Sequence, residues 1–93
     1  MEKAIWKFGL EVVDLQDIEM PIGAEILSVQ TQYNKVCIWA VCDPEAKKEK
    51  RVFMVKGTGH KFDDSDLEYA TFIGTTQMHE GQLIWHVYEV MRK

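Results

Sequence analysis

The sequence is short of the residues on which small folds and enzymes most often rely. It has two cysteines and two prolines in 93 residues, and Ser28 and Ser65 are its only serines. Cys37 and Cys42 stand an odd number of positions apart, so on one strand they point to opposite faces and cannot bridge each other. Neither forms a C-x-x-C pair, and His60, His79 and His86 show no metal-ligand spacing. Both thiols therefore read as small buried hydrophobes, with no metal and no cofactor implied. Neither serine lies in a G-x-S-x-G context, which removes the usual route to Ser-His-Asp chemistry. No catalytic residue is assigned.

Other absences narrow the class further. No apolar run approaches the roughly 18 to 20 residues needed to span a bilayer. Residues 1–7 lack the apolar core of a signal peptide, so the expected location is the cytoplasm. Eleven basic residues against fifteen acidic ones leave a formal charge of −4, the wrong sign for a general nucleic-acid binder. Asp63, Asp64, Asp66 and Glu68 crowd one stretch without the D-x-[DN]-x-[DN]-G pattern of a calcium loop. They read as solvated loop charge.

What is present is β-forming. The chain is 46% hydrophobic, with three Trp, three Tyr and four Phe, far from the composition of disorder. Ala4, Trp6, Phe8, Leu10 and Val12 alternate with Lys3, Lys7 and Glu11, a half-buried first strand. A return strand over 15–20 is stopped by Pro21, and a hairpin is the simplest link between the two. Strands follow over 24–33, 36–42, 51–56, 69–78 and 82–90, with Asn34-Lys35, Asp43-Pro44 and His79-Glu80-Gly81 as turns. The charged stretch 45–50 reads as a loop, across which the strand over 51–56 is expected to pair with that over 36–42. Ser65 or Asp64 can cap one short helical turn. The fold class is all-β, a single domain over 1–93 with about seven antiparallel strands in a small sandwich or partly closed barrel.

Two of these strands, 36–42 and 82–90, are apolar on both faces, whereas a sheet with one wet face should alternate. Association of identical copies would cover the surplus face, as a homo-oligomer. A closed monomeric barrel with a few exposed apolar groups is the alternative.

The stretch most suggestive of binding is Lys56-Gly57-Thr58-Gly59-His60. Two glycines allow backbone N–H groups to converge on an anion, with a cation and an imidazole alongside. The G-x-x-x-x-G-K-[ST] spacing of a P-loop is absent. The plain alternative is that the glycines supply positive φ at a strand end. Trp39, Trp85 and His86 are the candidates for stacking and hydrogen bonding around a ligand, although core packing suits each of them too.

Several segments carry a resemblance. Trp6-Lys7-Phe8, Ile18-Glu19-Met20-Pro21, Gly23-Ala24-Glu25-Ile26-Leu27-Ser28-Val29-Gln30, Cys37-Ile38-Trp39-Ala40-Val41, Gly57-Thr58-Gly59-His60, Tyr69 to Gly74 and Trp85-His86-Val87 resemble, in order, a family of small phage and prophage proteins of uncharacterised function. That resemblance implies an accessory protein in the host cytoplasm that binds and disables a host component, as in anti-defence. Two modes fit: sequestration of a small anionic, nucleotide-like ligand by a homo-oligomer, in a pocket formed at the subunit interface by Lys56, the glycine loop, His60 and an aromatic, and blockade of a host protein through an exposed apolar face. A slow nucleotide hydrolase or lyase using His60 and His86 is a further alternative.

Overall fold

In the computed structural model, residues 1–91 are described. Seven strands form: β1 (Ala4–Leu10), β2 (Gln16–Pro21), β3 (Glu25–Gln32), β4 (Lys35–Cys42), β5 (Lys48–Gly57), β6 (Ala70–Met78) and β7 (Leu83–Val90). They make two antiparallel sheets, of order β1-β4-β3 and β2-β5-β7-β6. The result is a small sandwich, not closed into a barrel, in a flat body of 43 × 33 × 16 Å. No helix among the described residues is long and apolar enough to cross a membrane.

The alternation in each strand explains the layering. Leu10, Val36, Ile38, Ala40 and Cys42 from the three-stranded sheet meet Met20, Phe53, Val55, Met78 and Val87 from the four-stranded one in a shared core. Phe53, Leu10, Met20 and Ile38 are the largest of the fully buried side chains, each contributing roughly 1.5 to 3 kcal/mol by leaving water. Trp6, Phe8, Ile26 and Trp85 pack against its margin. Cys37 and Cys42 are both buried and free, Cys42 in the core and Cys37 on the outer face of the same strand, as their odd spacing requires.

Three expectations about connectivity are corrected. β1 and β2 do not form a hairpin, because β1 pairs with β4 and β2 with β5. β5 does not pair with β4 but lies between β2 and β7. The charged residues Lys48 to Lys50 are strand rather than loop: Glu19 faces Lys50 and Pro21 faces Lys48 across the β2–β5 ladder. Opposite charges facing across an antiparallel pair stabilise it, and this compensates for the low β-propensity of lysine and glutamate.

The turns also differ in detail. The β3–β4 hairpin places Tyr33 and Asn34 at φ 51° and 60°, a two-residue connection with both residues left-handed, and Lys35 already belongs to β4. His79, Glu80 and Gly81 are all left-handed, at φ 51°, 56° and 88°. The expected helical turn is a 3-10 segment, Asp64–Leu67, capped by Asp63 rather than by Ser65 or Asp64, the Asp63 side chain accepting from the Ser65 N–H. A second 3-10 segment, His79–Gly81, forms between β6 and β7.

Arg51 combines an ion pair within the four-stranded sheet with a hydrogen bond toward the other sheet. Arg51 donates to both carboxylate oxygens of Glu89, at 2.7 and 2.8 Å, and to the Ala24 carbonyl at 2.6 Å. Glu89 is on β7, and Ala24 directly precedes β3 of the other sheet. The hydrogen bonds to Glu89 hold the Arg51 guanidinium above its ordinary value against the opposing effect of burial, with the charges of Glu89 and Glu49 adding to the rise.

Candidate functional site

Because Val55 and Val87 face the core opposite each other, their neighbours Lys56 and His86 point to the outer face of the four-stranded sheet. That face is partly roofed by the chain itself. Residues 11–15, between β1 and β2, and residues 61–69, between β5 and β6, fold over the end of β5. Lys56 is consequently only 8% exposed, although it lies outside the core.

Buried charge requires partners, and Lys56 has three. Its Nζ lies 3.1 Å from Asp14 Oδ1 and 3.5 Å from Asp66 Oδ2, and 4.9 Å from the centre of the Phe62 ring, within range of a cation–π contact. The first loop is tied at its neck: the Gln16 side-chain amide donates to the Glu11 carbonyl and accepts from the Glu11 N–H, at 2.7 and 2.9 Å.

Lys56, Asp14 and Asp66 form a wall between two depressions. One is a recess of about 390 Å³, floored by Met54 and Val90 and closed by Leu15, Ser65 and Tyr69. The other is a groove of about 500 Å³, lined also by Val12, Val13, Gly57, His60, Lys61, Phe62 and Trp85. A third depression, of about 340 Å³, lies over Arg51 and Glu89, but that guanidinium is already committed to Glu89 and Ala24.

The glycine stretch is a tight turn. His60 N–H donates to the Gly57 carbonyl at 3.1 Å, Thr58 N–H continues the ladder to the Ile84 carbonyl at 3.1 Å, and Gly59 takes φ 87°. Two of its backbone donors are thus spent within the fold. A Cβ at Gly57 would come within 2.8 Å of the His60 ring and 2.9 Å of the Trp85 ring, so only glycine lets these rings close over the strand end. The His60 and Trp85 rings meet edge to face at 6.3 Å. Trp85 Nε1 is buried and has no hydrogen-bond partner among the described residues, an unmet donor that costs about 1 to 3 kcal/mol.

Both ring nitrogens of His86 are engaged, Nε2 with Thr58 Oγ1 at 2.5 Å and Nδ1 with Thr75 Oγ1 at 3.0 Å. This arrangement positions the threonines and leaves the imidazole no open nitrogen with which to accept a proton from a substrate.

Seven of the eight ligand-binding residues named from the sequence gather at one end of the four-stranded sheet. Lys56, Gly57, His60 and Trp85 line the groove, and Thr58 joins Gly57, His60 and Trp85 around a smaller adjoining hollow of about 200 Å³. Gly59 is the exposed tip of the turn and His86 lies beneath Thr58. Trp39 is elsewhere, in the other sheet between Lys7 and Ser28. Asp14, Lys61, Phe62 and Asp66 were not singled out as ligand residues, since only the return of two loops over β5 brings them to Lys56. A pair of exposed valines, Val12 and Val13, just before Asp14 is the one local sign that this loop covers something. Among the described residues no three of His, Cys, Asp and Glu come together as a metal site would require.

The chain matches, over residues 1–93, the family model described as a domain of unknown function, DUF7352, and belongs to that family. No curated protein and no solved structure matches it.

Proposed function

We propose that this member of the family is a non-enzymatic binding domain that takes up a small anionic, nucleotide-like ligand in the groove beside Lys56. The observation that carries this reading is the convergence on one groove of Lys56, His60 and Lys61 with the aromatic rings of Phe62 and Trp85. An aromatic wall suits a base and the cations suit a phosphate. In a phage setting such a domain would act by sequestering a host signal.

The charge arrangement suggests how an anion would enter. Asp66 is 42% exposed and Asp14 is 83% exposed, so the Lys56–Asp14 contact is a surface-type pair worth about 0 to 1 kcal/mol. A phosphate oxygen can take the place of the Asp14 carboxylate at that ammonium at small cost. Lys61 has no ion-pair partner among the described residues, and the His60 side chain makes only the contact with Trp85. Both are therefore ready donors at the groove mouth.

The test is titration with linear and cyclic nucleotides, followed by tryptophan fluorescence and melting temperature. A ligand at 100 times its dissociation constant should add about 2.7 kcal/mol to the stability of the fold. Mass spectrometry of small molecules released from the heat-denatured protein identifies any that co-purify. No nucleotide moving either signal, and none released, would refute the reading. Recovery of chemically altered ligand would favour a hydrolase or lyase instead.

A further inference from the structure

The four edge strands of the sandwich are unequally protected. β3 and β6 lie against each other, with Thr31 Oγ1 2.8 Å from Thr76 Oγ1 and Gly74 closely approached by Val29. Each also carries a bulge, between Ile26 and Ser28 and between Phe72 and Gly74. β2 is short, presents Asp17 and Glu19, and ends in Pro21. β1 has none of these devices. Its seven residues pair with β4 in unbroken register, and Ile5 is 61% exposed. Its one charged side chain, Lys7, reaches away from the free edge, across β4, to Gln32 Oε1 at 2.7 Å. Natural sheets blunt open edges with charge, proline, bulges or cover, so a bare edge beside three defended ones marks a strand that acquires a partner.

We propose that β1 pairs antiparallel with β1 of a second copy about a two-fold axis at Trp6, joining the two three-stranded sheets into one of six strands. The strand is its own complement in that register. Lys7 faces Ile5 of the second copy, Ala4 faces Phe8, and Lys3 faces Gly9, so no like charges oppose each other. Centring the axis on Lys7 sets two lysines face to face, and centring it on Ile5 sets Lys3 against Lys7, both unfavourable. Centring it on Phe8 brings Glu11 into the ladder, where its N–H and carbonyl are already held by Gln16. An axis normal to the sheet keeps inward rows inward, so the half-buried Trp6 and Phe8 gain cover across the seam.

The test is sedimentation equilibrium on the full chain and on surface variants at residue 5, none of which touches the groove. This proposal and the ligand reading therefore fail separately. The wild type should show a monomer–dimer equilibrium. Ile5→Lys, which opposes Lys7 of the other copy twice per dimer, should weaken association about tenfold, equivalent to ~1.4 kcal/mol. Ile5→Glu should associate more tightly than Ile5→Lys, and Lys7→Glu added to Ile5→Lys should restore the dimer. Melting temperatures confirm that each variant folds. A wild type that stays monomeric at ~100 µM, where a micromolar dimer would be populated, overturns the proposal, as do equal dimer constants for the two charge variants at residue 5.

Discussion

Arg51 and Lys56 are two mostly buried cations on the same strand, and they face opposite sides of it. Arg51 points inward, and its partner Glu89 has a side chain only 15% exposed. Lys56 points outward, and its partners keep much of their contact with water. Removing a cation from the first setting strands a desolvated carboxylate, which is expensive. Removing one from the second leaves carboxylates that water can solvate. The difference separates a cation that holds the sheets together from one that is free to exchange partners.

The largest effect expected is on Arg51. Arg51→Met should lower unfolding free energy by about 3 kcal/mol, and Lys56→Met by less than about 1 kcal/mol, both read from urea midpoints. Equal losses would break the comparison. Next in size is Gly57→Ala, beside Lys56. The methyl group meets the Trp85 and His60 rings and should cost about 1 to 3 kcal/mol, with a change in tryptophan emission as Trp85 is displaced.

Smaller but sharper is Asp14→Asn. It should leave stability within about 0.5 kcal/mol and tighten nucleotide binding several-fold, because it removes the carboxylate that competes for Lys56. Weaker binding would place the anion elsewhere. Smallest is the pH response of the Arg51 contribution. A raised folded value means the contribution is fully present below the ordinary guanidinium range and fades only as pH climbs through the raised value. The stability gap between wild type and Arg51→Met should therefore stay flat from about pH 7 to 10.

The strands were legible because the apolar alternation of 4–10 and the β-branched and aromatic residues of 69–78 and 82–90 encode them directly. Which strands pair was not. Nothing local shows that β1 turns away from β2 into the other sheet, and the pairing of Lys48 to Lys50 with β2 becomes visible only once Glu19 is known to lie opposite. The surplus apolar surface of β7 also had a partly internal answer. Tyr88 packs on Phe72 at 5.4 Å, and Met54 and Val90 floor a recess under Leu15 and Tyr69. The glycine turn and its neighbours lie together at the end of the four-stranded sheet that carries the groove. Trp39 lies apart from them, because β4 pairs with β1 and β3 and not with β5 as its sequence neighbourhood implies. The carboxylates that neutralise Lys56 arrive on loops whose return path the sequence pattern does not specify.

Gln16 has a consequence of its own. Its amide stands in for a peptide group, offering Glu11 one donor and one acceptor at once, and so works as a latch on the segment that carries Asp14. Hydrolysis of that amide to a carboxylate would set oxygen against the Glu11 carbonyl and release half the latch. The position of Asp14 beside Lys56 thus depends on the chemical survival of a single side chain, so ageing of the protein would loosen this loop before it altered the core.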